Sequence, residues 1–276
     1  MLGNLFPAKW LSRISWFAFF LRSFYSIIGI GSALLLFPRE SGLAAVAFTS
    51  LLTLPSLNQL IAGEAKQAAR EKKFDLTDPF KNHMDIFAVY IFLFLGVFLV
   101  FSISSVILPD IASNGIFSEQ IKAVGIAGNA SGHGTFMSIF SNNIIVFLFA
   151  LATSLIYGSG SIFIIIWNAS VWGVVFGILA RSAAANYNPF AYLFLSILAV
   201  MPHLITEAGA YIMAAISGSI VAQAAMYEKP FSERFVKVFK SALVLFFAAV
   251  ALLLAAAYVE SNITKKLLMF FGLLKF

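Results

Sequence analysis

Residues 86–108 read IFAVYIFLFLGVFLVFSISSVIL, twenty-three residues without one charged side chain. An α-helix rises 1.5 Å per residue, so a run of this length spans the hydrocarbon core of a bilayer, which is about 30 Å thick. A helix also satisfies its own backbone hydrogen bonds, as lipid requires. The stretch therefore predicts a transmembrane helix.

Similar apolar runs recur along the whole chain. Of its 276 residues, 61% are hydrophobic and 11% are charged, whereas a soluble domain has about 25% charged residues. We predict an all-α, polytopic integral membrane protein of the cell membrane, surrounded by lipids, with about seven transmembrane helices. The predicted spans are 14–37, 42–61, 86–108, 139–157, 162–181, 189–226 and 241–259.

The apolar runs and the polar stretches between them divide the chain into four parts. These are an N-terminal helical hairpin (1–63), a cytoplasmic loop (64–85), a membrane core (86–260) and an interfacial tail (261–276). Within the core, segment 111–138 is rich in turn residues, which predicts a loop with a short interfacial helix near 117–124. The sixth span is longer than one crossing and contains Pro202, so we expect a kink or break there.

The basic residues predict the orientation. Segments 1–13, 62–85 and 226–240 hold eleven of the eighteen Lys and Arg residues, and the segments on the other side hold six. Cytoplasmic loops carry an excess of Lys and Arg. The bias places the N-terminus inside and the C-terminus outside, and it accounts for the net charge of +6 without a nucleic-acid partner.

Small residues at intervals of four predict where the helices pack. Membrane helices associate through such ridges because lipid tails are as apolar as leucine. The fifth span carries Gly173 and Gly177, and the sixth carries Ala210, Ala214 and Gly218. We therefore expect spans four to six to form the packing core, and spans one, three and seven to form a shell facing the lipid.

Polar residues inside the spans are few, and an intramembrane charge is a candidate functional group. His203 and Glu207 are four residues apart, so they share one helix face. Asn168 is expected to bond across to the fourth or sixth span. The predicted buried polar cluster consists of Arg22, Asn142, Asn143, Asn168, His203 and Glu207.

Arg22 and Glu207 are expected at a similar depth, which leads to the hypothesis that they form an ion pair. The alternative is that Arg22 extends to the cytoplasmic face while Glu207 is protonated or hydrogen-bonded to a neighbouring helix.

Enzyme signatures are missing from the sequence. The chain has no cysteine, no HExxH and no P-loop, and its three histidines lie in separate regions. GNASGHG at 128–134 does not match GxSxG. We predict no catalytic residues, no cofactor and no metal site, and no nucleic-acid-binding module is visible.

Two stretches resemble the stage II sporulation protein M family. They are IFSNNIIVFLFALATSLIYGSGSIFIIIWNASVWGVVFGILARS at 139–182 and MPHLITEAGAYIMAAISG at 201–218. The elements that correspond are a paired Asn before a helix, a Gly-rich turn, an Asn before a small residue, and Pro-His followed by Glu. Ala169 stands where the family pattern has glycine, and FLFLGVFLVFS before these stretches resembles the archaeal branch.

The resemblance implies an all-helical membrane protein without established catalysis. In endospore formers, family members act as scaffolds for peptidoglycan-degrading partners. We expect a non-enzymatic scaffold for other membrane or envelope proteins, or a protein of membrane remodelling, with 62–85 and 111–138 as partner surfaces and with homo-oligomers as a further option. The alternative is a transporter or permease that uses the Glu-His-Asn cluster. An intramembrane hydrolase is a third hypothesis, which the missing nucleophile–base pair argues against.

Overall fold

The structure is a computed structural model that describes residues 15–70, 77–123, 135–184 and 188–271. Within these residues, seven helices are long and apolar enough to cross a membrane, and they make up most of the fold. The predicted all-α, polytopic fold is confirmed. In chain order the seven helices are α1 (Ser15–Leu36), α2 (Ser41–Arg70), α3 (Asp78–Ile107), α4 (Phe136–Tyr157), α5 (Ile162–Ala184), α6 (Pro189–Tyr227) and α7 (Glu233–Val259).

Two prolines lie inside unbroken helices. Pro55 is within α2, and Pro202 is within α6, which continues from Pro189 to Tyr227. The break expected at Pro202 does not occur. Opening the helix in lipid would expose several backbone groups, whereas the proline removes only one hydrogen bond. The hydroxyl of Thr206 donates to the carbonyl oxygen of Pro202 at 2.9 Å.

Several helices extend beyond the predicted spans. α2 continues to Arg70 and α3 begins at Asp78, so helix takes up most of segment 64–85, while 71–76 lies outside the described residues. α7 begins at Glu233, where Ser232 acts as the N-cap and accepts a hydrogen bond from the amide of Phe235. Asn188 caps α6 in the same way, with proline at the first helical position.

Short elements follow α3 and α7. A helix at Asp110–Ile116 is followed by helical residues 118–123, close to the predicted position of the interfacial helix; the rest of that connection, up to 134, lies outside the described residues. α7 runs directly into a π-helical turn, Glu260–Thr264, and a further helix, Lys265–Phe270. The predicted tail therefore continues α7, and 272–276 lies outside the described residues.

The packing differs from the predicted arrangement of core and shell. Within the apolar 18-residue window of each span, the buried share is highest in α3, at 56%, and lowest in α4, at 28%, and it is 33% in both α6 and α7. α6 packs most extensively against α7, α3 packs against α5, and α4 and α5 contact each other little. The prediction that α3 forms part of a lipid-facing shell was therefore wrong.

The small-residue ridges do mark close helix contacts, although one of them has a different partner from the one expected. A Cβ atom on Gly173 would lie 2.6 Å from the carbonyl oxygen of Phe98, so the Gly173–Gly177 ridge of α5 packs against α3. A Cβ atom on Gly218 would lie 2.8 Å from the carbonyl oxygen of Leu151, which places α6 against α4 as predicted. Ala210 and Ala214 are fully buried between α4 and α7.

Candidate functional site

A cavity of about 400 Å³ lies between α4, α5, α6 and the end of α7. Its apolar lining comes from residues such as Val146, Val171 and Trp172. Its polar lining consists of two carboxylates, three amides and a tyrosine, namely Glu207, Glu260, Asn142, Asn143, Asn168 and Tyr211. Such a polar, concave site among apolar helices is where a membrane protein holds a proton, an ion or a polar ligand.

The cavity forms where α4 and α5 separate. These helices are joined by the tight turn at Ser159–Ser161, where Gly158 adopts a φ of 65°. Beyond the turn they contact each other little, because α4 packs on α6 and α5 packs on α3. Asn142 and Asn143 on α4 face the resulting space from one side, and Asn168 on α5 faces it from the other.

Glu207 reaches the cavity from the middle of α6 and is only 4% exposed. The hydroxyl of Tyr211, one helical turn further on, donates to Oε1 of Glu207 at 2.9 Å. Oε2 is buried without a hydrogen-bond partner. The carboxylate is thus held through Oε1, and Asn143 lies beside it in the cavity.

His203 lies one turn before Glu207 on the same face and is 2% exposed. Its Nδ1 atom is 2.8 Å from the hydroxyl oxygen of Thr264, and its Nε2 atom is buried without a partner. The ring packs against that of Trp172 on α5, with 5.3 Å between the ring centroids. The imidazole is therefore fixed on two sides.

Glu260 lines the candidate site, although the sequence analysis did not include it in the polar cluster. It begins the π-helical turn after α7 and brings a second carboxylate to the site. One ligand atom each from His203, Glu207 and Glu260 lie within 4.8 Å of one another. An acid directly after the last apolar run was a visible signal in the sequence, but its proximity to α6 is a long-range contact that local patterns do not indicate.

Most of the predicted polar cluster does come together. Four of its members line the same cavity, namely Asn142, Asn143, Asn168 and Glu207. His203 lies beside Glu207. The expected bond from Asn168 to another helix is not present, because its Nδ2 atom donates to the carbonyl oxygen of Ile164 on its own helix at 2.8 Å. This bond satisfies one amide proton within α5.

Arg22 does not belong to the cluster, and the predicted ion pair with Glu207 does not form. Arg22 is fully buried, its Nη2 atom donates to the hydroxyl of Ser56 at 2.6 Å, and its guanidinium lies 5.3 Å from the centre of the Tyr25 ring. Its partners are thus on α1 and α2, while the partner of Glu207 is on α6. The alternative that Arg22 extends to the membrane surface is also wrong, since its side chain is fully buried.

A comparison with known families decides the affiliation of the chain. The family model described as Stage II sporulation protein M matches residues 86–265. The chain belongs to the stage II sporulation protein M family. The matched region of this SpoIIM protein begins within α3 and ends just after the π-helical turn, so it contains every residue that lines the cavity. No curated protein and no solved structure matches the chain.

Proposed function

We propose that this SpoIIM protein is a non-enzymatic scaffold of the cell membrane that holds envelope proteins on its predicted outer face. The proposal rests on the connection between α3 and α4, residues 108–135. The connections at 37–40, 158–161 and 228–232 are tight turns, whereas this one is long and carries helices of its own. Connections of this length are uncommon in compact folds, which makes residues 108–123, the part that the structure describes, a candidate binding surface.

Polar contacts attach the first part of this connection to two transmembrane helices, α2 and α5. The hydroxyl of Ser41 at the start of α2 donates to the carbonyl oxygen of Ile116 at 3.1 Å. Gln120 donates to the carbonyl oxygen of Gly42 at 3.0 Å and to the hydroxyl of Ser170 on α5 at 3.4 Å. These contacts hold residues 110–123, here called the outer cap, as a rigid surface.

The end of α5 adds a further attachment. Arg181 forms an ion pair with Asp110 and donates to the carbonyl oxygen of Leu108. Phe117 is fully buried, with its ring 5.7 Å from that of Phe101 on α3. In contrast, Ile111 is 92% exposed and Asn114 and Lys122 are also exposed. These exposed side chains therefore lie on a surface that the transmembrane helices hold in place.

Site-specific photo-crosslinking in native membranes tests the scaffold function. A photoreactive residue at position 111 or 114 should give one discrete adduct, and mass spectrometry of the adduct identifies the partner. The matched control is position 231, where Phe231 is 88% exposed on the predicted inner side. Ile111→Asp should remove the adduct at position 114 and leave the yield of folded protein unchanged. Equal labelling of positions 111 and 231, or no adduct at either outer position, would contradict the proposal.

The cavity favours a second candidate function, a carrier for a proton or a polar solute. Carriers bind their substrates near the middle of the membrane, among polar groups that are shielded from lipid. A flux assay in proteoliposomes tests this function, with Glu207→Gln as the variant. A carrier should lose transport while staying folded, whereas a scaffold should show no flux in either form and retain its crosslinked partner.

A further inference from the structure

We propose that His203, Glu207 and Glu260 form a binding site for a divalent transition-metal ion, which joins α6 to the end of α7. One ligand atom from each of the three side chains lies within 4.8 Å of the others. The inference stands independently of the scaffold function, because it rests on the membrane core and not on the outer cap.

Two of the three residues offer a ligand atom that has no other partner. Oε2 of Glu207 and Nε2 of His203 are buried, and neither makes a hydrogen bond. A buried polar atom without a partner is destabilising, because it has lost its hydrogen bonds to water. A ligand bound among His203, Glu207 and Glu260 would give both atoms a partner.

The remaining atoms of both residues are held as in metal sites, where a ligating histidine donates its other ring N–H to a neighbouring group. When the Thr264 hydroxyl donates to the carbonyl oxygen of Val259 at 3.5 Å, it accepts from Nδ1 of His203, and Nε2 then presents a lone pair. Tyr211 orients Glu207 in the same way, through Oε1.

Charge also favours a cation at this position. Two carboxylates close together inside the membrane repel each other, and burial removes the water that would stabilise them. A divalent ion compensates both charges at once. The ion would be held between the middle of α6 and the π-helical turn, and π-helical turns occur frequently at functional sites.

The ligand types define the class of metal. One imidazole and two carboxylates, without sulfur, suit Zn²⁺ and Mn²⁺ rather than soft ions such as Cu⁺. Around a tetrahedral Zn²⁺ the ligand atoms lie roughly 3.4 Å apart, given bonds of about 2.1 Å. The three side chains would therefore close by at most about 1.4 Å, and a water in the adjoining cavity would complete the coordination.

Metal content is measured on the full chain without a histidine tag. The protein is purified into lipid nanodiscs, stripped with a chelator, equilibrated with Zn²⁺ and analysed by elemental mass spectrometry. We expect one Zn²⁺ per chain, lost in Glu207→Gln and Glu260→Gln and retained in the control Glu40→Gln, which alters an exposed carboxylate. Thr264→Val should weaken Zn²⁺ binding by about 10- to 100-fold, because it removes the support of His203.

A measurement on the unaltered protein keeps the test valid if a variant fails to fold. X-ray absorption of the Zn²⁺-loaded chain should show one imidazole and oxygen ligands, and Co²⁺ should give the visible absorption of a low-symmetry site. Less than one Zn²⁺ per chain in the unaltered protein would overturn the proposal. Protonation would then be what neutralises the two carboxylates. Equal Zn²⁺ in all variants, or a spectrum without imidazole, would overturn it as well.

Discussion

The Nδ1 atom of His203 lies 2.8 Å from the hydroxyl oxygen of Thr264 and so joins the middle of α6 to the chain just beyond α7. The contact depends on the π-helical turn, which places Thr264 and Glu260 on the side of α7 that faces α6. A regular α-helical continuation of α7 would rotate Thr264 relative to Glu260 and so away from this arrangement. The π-helical turn therefore completes the polar site.

Replacing Thr264 with Val should destabilise the bundle by about 1–3 kcal/mol, because Nδ1 of His203 would be buried without a partner. Thermal unfolding in detergent, followed by tryptophan fluorescence, measures the effect, since Trp172 packs against His203. The matched control is Thr206→Val, which removes hydrogen bonds only within α6. Equal shifts for the two variants would show that the interhelical contact contributes nothing.

The close approach of α5 to α3 makes Gly173 sensitive to a single methyl group. Gly173→Ala should cost about 1–3 kcal/mol, because the new Cβ atom would lie 2.6 Å from the carbonyl oxygen of Phe98. Gly31→Ala is the control: its Cβ atom would meet nothing within 4 Å, so the higher helix propensity of alanine should leave stability equal or raise it by up to about 1 kcal/mol. The thermal stabilities of the two variants are compared by size-exclusion chromatography after heating. A Gly173→Ala variant as stable as the unaltered protein would contradict the close packing of α5 on α3.

The sequence was sufficient to predict the transmembrane helices, because lipid allows few alternatives to an apolar helix. It also indicated that Glu207 and His203 share a face, since a separation of four residues decides that within one helix. It could not indicate which helix each ridge packs against. Gly173 and Gly218 look alike in sequence, yet one meets α3 and the other meets α4.

The errors at the polar site have the same origin. The predicted pair of Arg22 and Glu207 rests on their depth in the membrane, which follows from position along a helix. The sequence does not show which way each helix is rotated or which helices are its neighbours. Glu260 was overlooked because it follows the last span and its partners are on α6. Contacts between helices that are far apart in the chain depend on the three-dimensional packing. Local sequence patterns do not show which helices pack together.

Because Arg22 and Glu207 have different partners, their effects on stability should add. In a double-mutant cycle with Arg22→Met and Glu207→Gln, the coupling energy should stay within about 0.5 kcal/mol, as for independent sites. A cycle of Arg22→Met with Ser56→Ala should give a larger coupling, since these two side chains share a hydrogen bond. A large coupling energy between Arg22 and Glu207 would indicate that the two side chains interact directly, in contradiction to the structure.

Arg181 should control the order of the outer cap. Arg181→Gln removes the ion pair with Asp110, and hydrogen exchange at Asp110–Ile116 should then become faster, while exchange within α5 stays unchanged. The stability of the whole chain should change by less than about 1 kcal/mol, because Asp110 is largely exposed. Unchanged exchange in the cap would show that the contacts of Ser41 and Gln120 are sufficient to hold it.

The absence of cysteine from the sequence allows the orientation to be measured directly. Single cysteines at positions 39 and 114, which are exposed beside α1 and on the outer cap, should react with a membrane-impermeant thiol reagent in intact cells. Cysteines at positions 81 and 229, also exposed, should react only after the membrane is permeabilised. The physical reason is the excess of Lys and Arg in segments 62–85 and 226–240, which favours retention of these segments on the cytoplasmic side. The unaltered protein is the control for background labelling. The reverse pattern would place the outer cap in the cytoplasm and would move the proposed partners to that side.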